Sequence, residues 1–191
     1  MQWKPLNGTS VIVMKVCFSG AIWLMSGVIN VLTKPLTGVA PGTDIIYLPA
    51  GLRLVIVIVA GVWGALGVAI TNPVFFYLQL GLRHPIEALV NTLIGAFLPL
   101  LIVAAARKIS RIDDVLKGFN WLQLLLLMAA VSVALPLFFS IAYVAFNYYD
   151  RASFWPNMLS MMLGDFSGCL VVIILVKAAI KIDSMIAPWS T

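Results

Sequence analysis

Charge is scarce in this sequence: 7 Asp/Glu and 12 Lys/Arg stand among 191 residues, 10% charged against 62% hydrophobic. A soluble domain carries roughly 25% charged residues, so this composition excludes one. Histidine is rarer still, with only His84, and the two cysteines, Cys17 and Cys169, lie inside apolar runs. That inventory assembles no zinc or haem set, and the cysteines read as small buried hydrophobes rather than a disulfide. The phosphate-loop, serine-hydrolase, zinc-peptidase and dithiol motifs are all missing. No catalytic residue, cofactor or metal is therefore expected, and no enzyme. The formal charge of +5 would raise nucleic acid as a partner of a soluble protein. Here the basic residues flank apolar runs, where they set topology and meet anionic lipid headgroups, so a lipid bilayer is the expected partner and nucleic acid is not.

The apolar residues come in blocks of about twenty or more, enough helix to cross roughly 30 Å of hydrocarbon. The chain reads as one transmembrane domain over residues 1–191, an all-α polytopic bundle. Lys4 precedes a first helix near Val11 to Leu32, which is too long for a signal-peptide core and is read as retained. A loop from Thr33 to Asp44 follows, where two Pro and two Gly are expected to stop any helix. Later helices are expected near Pro85 to Ala106, Trp121 to Phe146 with a kink at Pro136, and Met158 to Ile180.

Residues 49–80 resist a single assignment. That stretch makes about 50 Å of helix, too long for one span and short for two. Gly61, Gly64, Gly67 and Pro73 offer places to turn. Two short helices give six spans and one broken helix gives five. Arg107, Lys108, Arg111 and Lys117 form the densest basic loop, which is expected in the cytoplasm. Counting forward puts the tail with Lys177 and Lys181 on that side with either number; six spans also put Lys4 and the N-terminus there and five put them outside, so six is preferred. Trp3, Tyr47, Trp121, Tyr148, Tyr149, Trp155 and Trp189 fall near the interfaces, as an aromatic belt would.

A charge within hydrocarbon costs several kcal/mol and calls for a partner or a purpose. Lys15 and Lys177 lie close enough to the inner interface to snorkel. Arg53 and Asp165 do not. With six spans they fall about 6 Å and about 10 Å below the outer ends of their helices. Asn91 comes at a similar depth, with Glu87 one turn above it and Asn72 on the preceding helix. Arg53, Glu87, Asn91 and Asp165 are therefore expected to form a polar cluster. It could serve as an ion pair that locks packing, a small-ligand or sensing pocket, or an ion path. Gly164 and Gly168, with Ser160 four residues before, make a small-residue stripe, and Gly61, Gly64 and Gly67 are read alike, as helix-packing positions within the chain or toward a partner or oligomer.

Four segments carry a resemblance: Tyr47-Leu48-Pro49-Ala50-Gly51-Leu52, Val62-Trp63-Gly64-Ala65-Leu66-Gly67, Asn91-Thr92-Leu93-Ile94-Gly95-Ala96 and Gly164-Asp165-Phe166-Ser167-Gly168. Their order resembles the membrane-associated sensor (MASE-type) domains of bacterial signalling proteins. The resemblance covers most of residues 45–180 and implies a sensor-like or accessory module in a bacterial inner membrane. Such domains usually have more helices and an attached output domain, so it further implies a free-standing module that acts through a partner chain. The size and six-helix plan are also similar to the substrate-binding subunits of vitamin-type transporters. A structural subunit of a larger membrane complex is the third reading.

Overall fold

The computed structural model describes residues 8–40, 43–80, 85–110, 120–148 and 150–186. In chain order these are α1 (Gly8–Thr37), a small hairpin of β1 (Gly38–Ala40) and β2 (Thr43–Asp44), α2 (Leu48–Leu80), α3 (Pro85–Thr92), α4 (Leu98–Ser110), α5 (Trp121–Ala145) and α6 (Phe154–Ile186). A π-helical turn, Leu93–Phe97, joins α3 to α4, and a 3-10 turn, Arg151–Ser153, leads into α6. Among the described residues, five helices are long and apolar enough to cross a membrane: Gly8–Leu36, Leu48–Tyr77, Pro85–Ile109, Trp121–Ala145 and Arg151–Ala179. The all-α membrane bundle stands.

The second of these is broken. Gly61 has φ 59° and ψ −135°, a conformation that a residue with a Cβ rarely adopts. The neighbours of the break show what it does. A methyl placed on Gly64 would lie 2.8 Å from the Ile56 carbonyl oxygen, although eight residues of unbroken helix span about 12 Å. A methyl on Gly95 would meet Asn72 Nδ2 at 3.2 Å and Arg53 Nη1 at 3.6 Å. Unbroken helix would hold positions 53 and 72 about 28 Å apart. The chain therefore doubles back at Gly61. Residues 48–60 and 62–80 are two limbs of a helical hairpin, about 20 Å and about 28 Å long. Among the described residues there are five spans by length alone, yet six helical segments in space once α2 is divided at Gly61. Pro73, the other expected turning point, lies inside the second limb.

The end of the first limb is held by α4. Arg107 Nη2 donates to the Ile58 carbonyl at 2.6 Å. That carbonyl is among the last four of its limb, which have no partner within the helix, so the guanidinium caps the helix end.

The remaining elements follow from glycine clearance and aromatic packing. α1 runs alongside residues 62–80, with the backbone of Gly67 against the Val16 carbonyl and Gly27 against the Phe75 ring. From Trp23, stacked on Phe75 at 4.3 Å, aromatic contacts continue through Phe76, Phe139 and Tyr143 to Tyr148. These rings tie α1 and the hairpin to α5. The start of α5 is fixed by a capping box, in which Asn120 Oδ1 accepts from Gln123 N while Gln123 Oε1 accepts from Asn120 N.

Several expected boundaries move. α1 continues through Lys34 and Pro35 to Thr37, where a breaker loop was expected. Pro35 sits in the last turn, so its missing N–H removes one ladder bond and the helix survives. α4 and α6 also outrun the apolar runs that predicted them, because hydropathy marks where hydrocarbon ends, whereas a helix can continue into polar surroundings. Pro136 lies inside α5. Cys169 is buried, but Cys17 is exposed on the outer face of α1, contrary to its reading as a buried hydrophobe. Trp3, Lys4, His84, Arg111, Lys117, Tyr149 and Trp189 lie outside the described residues, as does the side chain of Lys181.

Candidate functional site: a buried polar cluster

Arg53 is carried by the first limb of the hairpin and is 2% exposed, while Asp165, on α6, is 5% exposed. They meet, Arg53 Nη2 lying 3.7 Å from Asp165 Oδ2. What brings them together is a strap. Residues 44–47 descend along α6, where Tyr47 N donates to the Gly164 carbonyl at 2.9 Å. Ser167 Oγ donates to the Ile45 carbonyl at 2.6 Å. Gly164 lies ten residues into α6, about 15 Å below its start. The hairpin therefore begins deep in the bundle, and Arg53 is delivered to the level of Asp165.

That strap accounts for the small-residue stripe. Gly164 lies against the Asp44 carbonyl and Gly168 against the Tyr47 carbonyl, contacts too close for any Cβ. Those glycines admit non-helical chain; Ser160 is half-buried higher on α6. Gly67 does pack helix on helix, against α1, and Gly64 packs one limb on the other. Gly61 is the exception. A methyl there would have nothing within 4 Å, so it makes the turn and no close packing contact.

Beside the ion pair runs an amide network. Trp23 Nε1 donates to Asn72 Oδ1 at 3.0 Å, and Asn72 Nδ2 donates to the Asn91 carbonyl at 3.3 Å. The π-helical turn begins just after Asn91 and contains Gly95, whose missing side chain leaves space for Asn72 and Arg53. Asn91 Nδ2 donates to the Glu87 carbonyl at 2.8 Å. The Glu87 carboxylate accepts from the Tyr148 hydroxyl at 2.6 Å. The Arg53 guanidinium also lies 5.5 Å from the Trp23 ring centroid, within cation–π range.

The four predicted residues therefore form a chain rather than one shell. Arg53 and Asp165 touch directly. Asn91 reaches them through Asn72 and Trp23, and Glu87 belongs to the Tyr148 end. Trp23 was missed, and Asn72 was noted only as a neighbour. Both carried a signal: a tryptophan in mid-span, away from the interface it usually occupies, and an amide inside a long apolar run. Tyr47, expected in the interfacial belt, instead sits on the strap against Gly164 of α6.

The cluster is incompletely satisfied. Among the described residues, Arg53 Nε and Nη2, Asn91 Oδ1 and Thr92 Oγ1 are buried without a hydrogen-bond partner. At an effective dielectric constant near 20, a 3.7 Å separation gives an attraction of about 4 kcal/mol. Desolvating the two ions costs several kcal/mol each, so the pair adds little net stability. It is a fixed charge arrangement with spare donors and acceptors. No three His, Cys, Asp or Glu gather to hold a metal among the described residues. No protein-family model, curated protein or solved structure matches this chain, so the reading rests on this geometry.

Proposed function

We propose that this chain is a non-enzymatic membrane module that senses or relays a signal through partner proteins. The observation that carries this reading is the Arg53–Asp165 pair, buried in a membrane bundle with two guanidinium nitrogens, the ion-paired Nη2 and Nε, lacking a hydrogen-bond partner. An intramembrane charge pair that contributes little stability is a candidate functional site. Its members sit on separate elements, the hairpin limb and α6, so whatever completes or breaks the pair changes how those elements pack. The resemblance to MASE-type sensor domains supports the same reading.

The bilayer is proposed to be a bacterial inner membrane, with both termini cytoplasmic. α1 begins, α4 ends and α6 ends at one face of the bundle, and Lys15, Arg107, Lys108 and Lys177 lie toward it. That bias favours a cytoplasmic face. The unpaired groups around Arg53 favour one second reading, a substrate-binding subunit of a small-molecule transporter.

The test uses the full chain in native membranes, with chemical cross-linking of wild type and Asp165→Asn. The sensor reading expects both to insert equally, with the variant changing the yield of a cross-link to a second protein or that protein's activity. A wild-type chain that cross-links to nothing but itself overturns it. Co-purification of a small molecule and an ATPase complex, lost in Arg53→Gln, decides for the transporter subunit.

A further inference from the structure

A second feature lies away from the buried pair, at the basic end of the bundle. Between α4 and α5 is a groove of about 390 Å³, lined by Ala105, Ala106 and Ile109 from one helix and Gln123, Leu126 and Ala130 from the other. The volume falls within the range of small-molecule sites, roughly 300–1,000 Å³. Three alanines create it, since larger side chains there would fill the space between the helices. It follows both helices for two turns, about 10 Å, from the helix ends toward the membrane interior. Its mouth faces lipid, with Ile109 83% exposed and Leu126 62% exposed.

The lining chemistry decides the occupant. The walls are apolar except Gln123, so water is a poor filler. A chain entering from the bilayer suits them. The polar end lies beside the last turn of α4, which carries Arg107 and Lys108. Arg107 is engaged with the Ile58 carbonyl, and Lys177 lies 4.3 Å from the Trp121 ring centroid, on the α6 side of α5. Lys108 is exposed in the same turn as Ile109, at the level where headgroups meet the helix end. Apolar walls below and a cation above fit a lipid with an anionic headgroup.

We propose that the α4–α5 groove binds one acyl chain of an anionic phospholipid, whose phosphate is met by Lys108 and whose headgroup end lies beside Gln123. This site is independent of Arg53 and Asp165, so its failure would leave the reading of the buried pair intact.

The experiment is native mass spectrometry of the full chain purified in mild detergent and titrated with phosphatidylglycerol or phosphatidylcholine of identical acyl chains. Wild type should retain one phosphatidylglycerol about fivefold more strongly than phosphatidylcholine, the factor for one lysine near a phosphate. Lys108→Gln should bring that ratio close to one. Ala105→Leu with Ala130→Leu should remove retention of both lipids. Both alanines are exposed, so the larger side chains can fill the groove without displacing the core. Ala130→Leu alone, checked for unchanged helicity and monodispersity, replaces the double variant if that one fails to fold. Equal retention of the two lipids by wild type overturns the proposal, as does undiminished phosphatidylglycerol binding in the filled variant. So does a wild-type dimer that dissociates when the groove is filled, which would make the groove an interface between copies.

Discussion

Replacing Arg53 by Met strands the Asp165 carboxylate in the bundle, and replacing Asp165 by Leu strands the guanidinium. Arg53 is 2% exposed and Asp165 is 5% exposed, so neither orphaned charge can turn to water without local opening. Each single substitution is expected to cost about 3–5 kcal/mol, the usual penalty for an uncompensated buried charge. Arg53→Met also forfeits the contact with Trp23, of order 1 kcal/mol. The double variant, Arg53→Met with Asp165→Leu, strands neither ion and should come close to wild type, or exceed it. The coupling between the sites should therefore be about 3 kcal/mol or more. Unfolding by SDS in mixed micelles, followed by helicity, gives the four free energies. If the double variant costs the sum of the singles to within about 0.5 kcal/mol, the residues do not interact and the central contact of the site is refuted.

Three other expectations test the frame around that pair. Spin labels at Val55 and Tyr77, with Cys17 and Cys169 replaced by Ser, should lie within about 20 Å of each other, whereas unbroken helix would hold them about 33 Å apart; electron–electron resonance reads the difference. Gly61→Ala should cost about 1–3 kcal/mol by the same SDS assay through backbone strain alone, because a methyl there meets nothing within 4 Å; an unchanged midpoint would remove the reversal at this residue. Gly168→Leu should prevent the strap from seating against α6, seen as new protease or maleimide access at residues 44–47 with insertion retained; unchanged access would show that the strap does not need that clearance.

Membrane residence was legible in composition, and so was the need of Arg53 and Asp165 for partners, from the cost of burying charge; the depth at which they meet was set by the strap instead. The ambiguity of residues 49–80 could also be read locally. What a stretch of Val, Ile, Leu and Gly does not reveal is its direction. The hydrocarbon stabilises a long helix and a folded-back pair alike, since both satisfy their backbone hydrogen bonds. The choice is made by contacts that periodicity does not record: Gly64 on Ile56 across the turn, Arg107 on the Ile58 carbonyl, Gly168 on the Tyr47 carbonyl. Distance along the chain hid Trp23 from the site. Its indole is joined to Asn72 across 49 positions of sequence, a separation that no local periodicity records. The sequence alone determined which groups are too polar for hydrocarbon to tolerate unpaired, because that cost is a property of each side chain. Only the tertiary structure decided which groups meet, because in lipid a partner is chosen by close packing and clearance between elements, and glycine leaves that clearance without naming what will fill it.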